Sequence, residues 1–342
     1  MKLYHQKEKH SSLVRNFFEL DNLDVFYSEE VLNVIYGPNF ESILIIDNDK
    51  AFFHVFSRRE IRGTDKYDIE PFLGYAGPVV NTQNCDFINH SMSIYSEFCR
   101  ENNIVAELIR FNPVAQNHTY FKECDFIKIV PAKEIVVVDS FKDEAEQLIN
   151  FGKPSVRYSV NRAKKTCLFR EVDKFDGLNS FINLYTNALI SNDADNKWFF
   201  PADFFLRIQK TECFKIFSVF HEDKLVSASL VILSKPSAYY LLAANNSKKV
   251  QGANELLIVR ICQIAASYQI PYLILGGGNT TSDNDSLLWF KKKFTQRTHT
   301  FYIGKMIHDE DTYNQMCDEA LQQDFSLHEK NYHLKYRLLA TA

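Results

Sequence analysis

Residues 272–294, YLILGGGNTTSDNDSLLWFKKKF, join an apolar strand, three consecutive glycines and a helix that carries three lysines. An apolar run of this kind is typical of a central strand in an open α/β sheet. Such sheets bind their ligands beyond the carboxyl ends of the strands, which is where Gly276, Gly277 and Gly278 follow. We therefore expect the loop to bring free backbone groups close to a substrate. A plain turn, which is what most glycine loops are, is the alternative.

The second half of this stretch predicts an amphipathic helix. Asp285 or Ser286 can cap its first turn, and its apolar residues would face the core. Because a helix turns by about 100° per residue, Lys291, Lys292 and Lys293 cannot all face the loop. We expect one or two of them to reach it, with three solvated lysines as the alternative.

A second glycine step lies upstream, in NNSKKVQGANELL at residues 245–257. It connects an apolar strand to a strongly amphipathic helix, after which the strand at 272 begins. The order strand, helix, strand predicts a parallel crossover unit. Free N–H groups and the helix dipole at the start of such a helix favour an anion such as pyrophosphate. Gly252 would let that ligand approach the backbone, and a plain turn with solvated lysines is the alternative.

Hydrophobic periodicity predicts a mixed α/β architecture on both sides of a break at Gly152 and Pro154. At 342 residues the chain is long enough for two domains, and its second half repeats the logic of its first. The predicted helices are 89–103, 155–166, 177–192, 252–270 and a solvated acidic helix in 309–330. The predicted strands are 41–49 and 51–61 as a hairpin, 104–111, a pair at 126–130 and 134–139, 214–223, 224–234, 238–246 and 271–278.

Composition excludes several classes of protein. A formal charge of -4 and a pI near 6.2 argue against a protein that coats nucleic acid through bulk charge. The sequence shows no signal peptide and no apolar run of the roughly 18 to 20 residues that span a bilayer, so we expect a cytoplasmic protein without membrane insertion. Seven scattered cysteines without a C-x-x-C pair predict reduced thiols and no zinc site. The motifs of serine hydrolases, P-loop NTPases and zinc peptidases are missing from the sequence.

Three further segments contain residues that can bind a ligand. Arg157 and Arg162, in one predicted helix, can grip a phosphate or carboxylate, with plain surface charge as the alternative. Tyr239 and Tyr240 are neighbours in a strand and face opposite sides. One of them therefore belongs to the core, and the other can offer its hydroxyl to a cleft. The segment LIRFNPVAQNH, which contains Arg110, follows a strand, and loops in such positions often carry function.

Five segments, taken in order, resemble the FemAB-like acyltransferases, a GNAT-related group: DIEPFLGYAGPVV, ELIRFNPVAQNH, VRYSVNRAKK, YYLLAANNSKKVQGANELL and LILGGGNTTSDNDSLLWFKKKF. The resemblance spans roughly residues 40–305, and the glycine loop with its Phe-Lys helix is its most specific part. It implies an α/β (α+β) fold with tandem GNAT-like domains, each a mixed twisted sheet flanked by helices. The implied domains are 1–150, the acyltransferase domain 151–310, and a helical tail 311–342 that packs on the first domain.

The resemblance also implies site residues. Lys291 matches the lysine beside the family's reaction centre, Arg157 matches the arginine before its "RKA"-type helix, and Tyr240 or Tyr239 matches its cleft tyrosine. The predicted catalytic residues are Lys291, Tyr240 and Asp283, with Asp283 or Asp285 accepting the amine proton through water. The predicted acceptor-binding residues are Arg157, Arg110, Tyr75, Gly276, Gly277 and Gly278. The predicted donor-binding residues are Lys249, Gly252, Ala253 and Asn254, and no metal is expected.

Members of this family transfer an acyl or aminoacyl group to an amine, in peptidoglycan bridge synthesis or in the acylation of sugars and other envelope precursors. This chain lacks the sustained heptads of the helical hairpin that tRNA-dependent members insert. The resemblance therefore implies acetyl-CoA or another acyl-CoA as donor, a small-molecule or nucleotide-sugar acceptor, and no DNA. An aminoacyl-tRNA-dependent bridge transferase and a catalytically inactive binding protein are the alternatives.

Overall fold

The structure is a computed structural model that describes residues 1–19, 22–151, 153–246, 250–280, 284–295 and 297–341. The strands among these residues are β1 (Lys2–Lys7), β2 (Phe40–Asp47), β3 (Lys50–Glu60), β4 (Tyr67–Ile69), β5 (Val79–Val80), β6 (Ile104–Arg110), β7 (Lys128–Asp139), β8 (Cys167–Val172), β9 (Phe214–His221), β10 (Lys224–Ile232), β11 (Ser237–Asn245), β12 (Tyr272–Gly276) and β13 (Thr298–Ile307). The α-helices are α1 (Glu29–Tyr36), α2 (Cys85–Glu101), α3 (Glu144–Ile149), α4 (Pro154–Ala163), α5 (Lys174–Ser191), α6 (Ala202–Gln209), α7 (Ala253–Ser267), α8 (Ser286–Lys291) and α9 (Glu310–Gln323).

The chain divides into two units. Unit 1 contains Met1–Leu20, Phe26–Ala132 and Phe301–Ala342, and unit 2 contains Asp21–Val25 and Lys133–Thr300. Both units are discontinuous along the chain, because residues 21–25 belong to unit 2 and residues 301–342 return to unit 1. The sequence predicted consecutive domains, with boundaries at residues 150 and 310.

Unit 1 contains a sheet in the order β1-β2-β3-β4-β6-β13. Its neighbouring strands are antiparallel, except that β4 and β6 are parallel. The predicted hairpin is confirmed, since β2 and β3 pair along their length and Asp47 lies opposite Lys50. α2 packs against this sheet and contributes Phe87, Met92 and Tyr95 to the core of the unit. The apolar residues of α2 recur with the helical spacing from which this helix was predicted.

Unit 2 contains a sheet in the order β7-β12-β11-β10-β9-β8. β11 and β12 are parallel and are connected by α7, which confirms the predicted crossover unit, while the other neighbours are antiparallel. α7 packs on the sheet, and α3 and α4 pack on α7. Since β12 lies between β7 and β11, it is flanked by a strand on each side, as its apolar sequence predicted.

The structure differs from the predicted elements in three respects. The strand pair at 126–139 is one strand, β7, because the fixed φ of Pro131 fits an extended backbone. The edge strand β8 and the short helix α6 were not predicted, since their charged or few residues give little periodicity. The acidic helix α9 is not fully solvated, because Cys317 and Ala320 pack in an apolar cluster with Val105 and Leu108.

The helices were also compared with the length and apolar character that a membrane span needs. Within the ranges that the structure describes, none is long and apolar enough to cross a membrane.

Candidate active site

The parallel strands β11 and β12 part in the middle of unit 2. They pair only between Ser237–Tyr239 and Tyr272–Ile274, although β11 continues as far as Asn245. The register between β10 and β11 skips Leu241, which makes a bulge in β11. We call the space between β11, from Tyr240 onward, and the end of β12 the strand gap. Backbone groups on this edge of β11 are not paired with β12 and can accept an added extended chain.

The glycine loop closes one end of the strand gap, and the protein's own atoms determine its shape. Gly276 has a φ of 75°, which a side chain would strain. A Cβ on Gly277 would lie 3.0 Å from the Glu134 carbonyl oxygen, and one on Gly278 would lie 2.5 Å from the carboxyl carbon of Asp285. The three glycines therefore allow β7 and the start of α8 to approach the loop closely.

Asp285 connects the loop to α8. Its carboxylate accepts hydrogen bonds from the Leu288 N–H at 2.9 Å, the Thr280 N–H at 2.7 Å and the Thr280 hydroxyl at 3.1 Å. Burial opposes the charge, but these hydrogen bonds lower the pKa of Asp285 to about 2. This carboxylate is therefore a helix cap and a weak base, which disfavours it as the acceptor of an amine proton.

Lys291, the last residue of α8, is the lysine that reaches the loop. Its Nζ donates to the Gly277 carbonyl oxygen at 2.7 Å. Burial lowers the pKa of Lys291 to about 8, with Asp285 raising it and Lys133 lowering it further. At pH 7 roughly a tenth of the molecules therefore carry Lys291 as a neutral amine.

The other two lysines of the run point elsewhere, as the helical rotation predicted. Lys292 forms an ion pair with Glu134. Lys293 lies 3.9 Å from Glu255 and 5.3 Å from the centre of the Phe290 ring. The expectation that one or two lysines reach the loop is confirmed.

The neighbouring tyrosines of β11 face opposite sides. Tyr239 is buried, and its hydroxyl donates to the Asp24 carboxylate at 2.5 Å. Tyr240 is half-buried, and its hydroxyl donates to Oδ1 of Asn254 at 3.3 Å. The Ser227 hydroxyl donates to the same oxygen at 3.0 Å. Burial raises the pKa of Tyr240, so this hydroxyl stays protonated. Its hydrogen bond connects β11, at the strand gap, to the first turn of α7.

The start of α7 is shaped by contact with α4. Gly252 has a φ of 85°, and a Cβ on it would lie 2.2 Å from the carbonyl oxygen of Ser159. This glycine therefore allows two helices to cross closely. The Ala253 N–H donates to the Val250 carbonyl at 3.2 Å, and Glu255 adds an acid to the first turn. The predicted donor residue Lys249 and the predicted catalytic residue Asp283 lie outside the described residues.

The predicted acceptor-binding side chains fall in both units. In unit 2, Arg157 is exposed on α4. In unit 1, Arg110 at the end of β6 lies 3.5 Å from Glu70. Burial raises the pKa of Tyr75 and the charge of Arg110 opposes this shift, which shows that the two predicted residues of unit 1 are neighbours.

Sequence reasoning missed Lys133 and Glu134 of β7, which lie beside Gly277, within 4 Å of the point that a Cβ on this glycine would occupy. They lie there because Val136 of β7 is opposite Gly276 of β12. Pairing between strands so distant along the chain leaves no local pattern in the sequence, so we found no signal that could have identified them. In the described part of the chain, no group of three or more His, Cys, Asp or Glu side chains can hold a metal ion.

No family model matches the sequence, and comparison with curated proteins gives no match. Among solved structures, the chain is similar to FemX with a TM-score of 0.71, at 12% identity, over 92% of this chain and 99% of FemX. The fold is FemAB-like. The predicted mixed α/β class is thereby confirmed.

Two further structures share the FemAB-like fold less closely. L-PGS from Bacillus licheniformis has a TM-score of 0.56 at 12% identity, over 86% of this chain and 90% of that one. The C-terminal domain of a candidate lysylphosphatidylglycerol synthetase from Agrobacterium fabrum has a TM-score of 0.53 at 13% identity, over 86% and 91% of the two chains. At such identities the likeness shows the FemAB-like fold alone.

Proposed function

We propose that the protein is an N-acyltransferase that moves an acyl group from acyl-CoA to an amine of a cell-envelope or sugar-nucleotide precursor. The observation that carries this proposal is the position of the half-buried Lys291, whose Nζ donates to the Gly277 carbonyl just after β12. The family resemblance implies that this lysine lies beside the reaction centre. The FemAB-like fold supports the same reading.

The reaction does not require the protein to form a covalent bond with either reactant. A neutral amine attacks the thioester carbonyl, the C–N bond forms, and the C–S bond breaks. The protein needs to orient both reactants and to stabilise the negative charge that develops on the carbonyl oxygen. Lys291, when protonated, supplies a positive charge that is not dispersed by bulk water. No nucleophile of the protein is required, in agreement with the lack of a nucleophile motif.

The strand gap supports an acyl-CoA donor. The edge of β11 beyond Tyr239 is parted from β12, and a pantetheine arm carries amides that can pair with it like an added strand. The start of α7 can attract the phosphates of such a donor through helix N–H groups other than that of Ala253, which donates to the Val250 carbonyl. Approach from the α4 side is closed by the Ser159 carbonyl at Gly252, and Glu255 weakens the attraction.

An aminoacyl-tRNA donor is the alternative. In unit 2, the longest helix among the described residues is α5, with 18 residues. These residues contain no counterpart of the long helical hairpin that the resemblance assigns to tRNA-dependent members, and FemX, of which the chain covers 99%, leaves little room for such a hairpin either. Dependence of transfer on added aminoacyl-tRNA would select this alternative.

Ligand binding tests the proposal first. Acetyl-CoA, longer acyl-CoAs and nucleotide amino sugars should each be examined by thermal shift and native mass spectrometry. A true ligand at 100 times its Kd stabilises the folded state by about 2.7 kcal/mol, which raises the melting temperature measurably. A protein that none of these compounds stabilises, and that transfers no acyl group, would be the inactive binding protein instead.

The Lys291→Met variant tests the chemical role. We expect the turnover number for transfer, followed by thiol release from acyl-CoA, to fall about 100-fold or more, because the charge beside the reaction centre is lost. Lys292→Met is the matched control from the same lysine run, and we expect it to stay within a few-fold of the wild type. Full turnover by Lys291→Met would remove Lys291 from the mechanism.

A further inference from the structure

Two lysine side chains approach one peptide group from different elements of unit 2. Lys291 comes from α8 and donates to the Gly277 carbonyl at 2.7 Å. Lys133 comes from β7, and its Cδ lies 3.9 Å from the point that a Cβ on Gly277 would occupy. The positive charge of Lys133 lowers the pKa of Lys291, which means that two like charges repel each other in a partly buried place. An arrangement that is costly for stability is therefore a candidate for a role in function.

The acidic groups around Lys291 are engaged with other partners. Asp285, on its own helix, caps α8 and binds Thr280. On β7, Glu134 pairs with Lys292 and accepts from the Thr298 hydroxyl.

On α7, Glu255 is nearest to Lys293 at 3.9 Å. None of these three carboxylates forms an ion pair with Lys291 among the described contacts. Burial therefore does most to lower the pKa of Lys291, the charge of Asp285 raises it in part, and the charge of Lys133 lowers it further, while Nζ donates to the Gly277 carbonyl.

We propose that Lys133 is a positioning residue that keeps a fraction of Lys291 as the neutral amine near neutral pH, so that this fraction takes the proton which the acceptor nitrogen loses. This inference rests on the proposed acyl transfer. Asp285 is a weak base because three hydrogen bonds hold its carboxylate, which leaves the base role open. A second cation beside a lysine lowers the pKa of its amine, so that more of the amine is unprotonated near neutral pH.

In this step Lys291 takes up one proton and then gives it away. The free acceptor amine attacks the thioester carbon, and its lone pair forms the C–N bond. The C–S bond breaks, and its electron pair goes to sulfur. The acceptor nitrogen loses one proton to the Nζ of Lys291, which passes it to the thiolate. An amide and a thiol leave, and Lys291 is again neutral.

Competitive labelling with acetic anhydride between pH 6 and 11, read by mass spectrometry at Lys291, tests the inference without any substrate. We expect a labelling midpoint near pH 8 in the wild type, in keeping with a pKa of about 8. Lys133→Met should move the midpoint about one pH unit higher, because the repulsion is lost. Lys133→Arg keeps the charge and should keep the wild-type midpoint.

Lys128→Met is the matched control, since it removes a lysine from the same strand near Lys305 and should leave the Lys291 midpoint unchanged. Lys133→Gln replaces Lys133→Met if the latter does not fold, with folding checked by melting temperature. An unchanged Lys291 midpoint in a folded, uncharged Lys133 variant overturns the inference.

The pH dependence of transfer separates this inference from the proposed function. We expect the acid limb of the rate profile to move higher in Lys133→Met, in step with labelling. A loss of rate without such a shift indicates a structural role and overturns the inference alone. A shifted labelling midpoint in a protein that transfers no acyl group overturns the proposed function, and with it the catalytic use of the neutral amine.

Discussion

The charge of Glu107 is determined by the residues that surround its carboxylate. It lies in the core of unit 1, where its carboxylate accepts from His54 Nε2 at 2.7 Å and from the Tyr95 hydroxyl at 2.8 Å. Nε2 of His308 lies 3.8 Å away. Burial acts to raise the pKa of Glu107, but the two histidines outweigh it and lower the pKa to about 2. The ionised carboxylate is thus part of the folded state.

This arrangement predicts acid sensitivity. Because the folded pKa is below the unfolded value of 4.5, the stabilisation by Glu107 is complete above pH 4.5 and is lost as the pH falls toward 2. Glu107→Gln should lower the free energy of unfolding at pH 7 by about 3 kcal/mol and should flatten its dependence on pH below 4.5.

Urea unfolding at a series of pH values measures both effects. The exposed Glu60→Gln, also in unit 1, is the control and should change stability by no more than about 0.5 kcal/mol. Equal stability of Glu107→Gln and the wild type at pH 7 would contradict the prediction.

At this scale the sequence identified what a local pattern can show. The lysine run, the helical rotation and the glycine loop are neighbours in the sequence, and together they predicted that one or two lysines reach the loop, whereas Lys291 itself was chosen through the family resemblance. Lys133 was not found, because its place beside Gly277 depends on the pairing of β7 with β12. Gly252 was predicted to let a ligand approach the backbone. In the structure, the backbone that approaches it is that of α4, which lies far upstream in the sequence.

At the scale of secondary-structure elements, the contact of α4 with α7 also depends on residues that are far apart in the sequence. A helix end can come this close to another backbone only where a side chain is missing, and Gly252 provides that place. Hydrophobic periodicity predicted both helices and the strands on either side of α7. It could not show which helices pack together, because periodicity indicates which face of a helix is buried but not which element covers that face.

Gly252→Ala tests this contact. The new Cβ would lie 2.2 Å from the Ser159 carbonyl oxygen, and the φ of 85° would strain it in addition. We expect the free energy of unfolding to fall by about 2 to 4 kcal/mol. Gly63→Ala is a matched control, because Gly63 has a φ of 79° with no atom within 4 Å of the added Cβ. It should lose only about 1 kcal/mol, and equal losses in the two variants would show that the helix contact is unimportant.

At the scale of the whole molecule, distant parts of the chain complete unit 1. Arg337 donates to both carboxylate oxygens of the buried Asp68, at 2.7 and 2.9 Å, and the Tyr332 hydroxyl donates to Glu70 at 2.7 Å. Leu334 is fully buried in the cluster of β6 and α9. The α/β class, the repeated architecture and the helical tail were predictable from patterning. The return of the chain end to unit 1 entered only through the family resemblance, because patterning carries no information on it.

Arg337→Leu tests the importance of this closure. It leaves the buried Asp68 with one partner fewer, and we expect a loss of about 2 kcal/mol or more in urea unfolding. Arg297→Leu removes a similar ion pair, to Asp139 at 2.8 Å, but from an arginine that is 75% exposed. This control should lose less than about 1 kcal/mol. A loss as small for Arg337→Leu would show that the tail is held by apolar contacts alone.

The split of unit 1 along the chain has a consequence for biosynthesis. β6 pairs with β13, which leaves the ribosome only after all of residues 133–300. At about 5 to 20 residues per second, the first 132 residues would wait roughly 10 to 30 seconds for that partner strand. Unit 2 can close during this interval, whereas the nascent first segment exposes the edge of β6 and an apolar face. Chaperones that shield such surfaces would be needed most at this stage of translation.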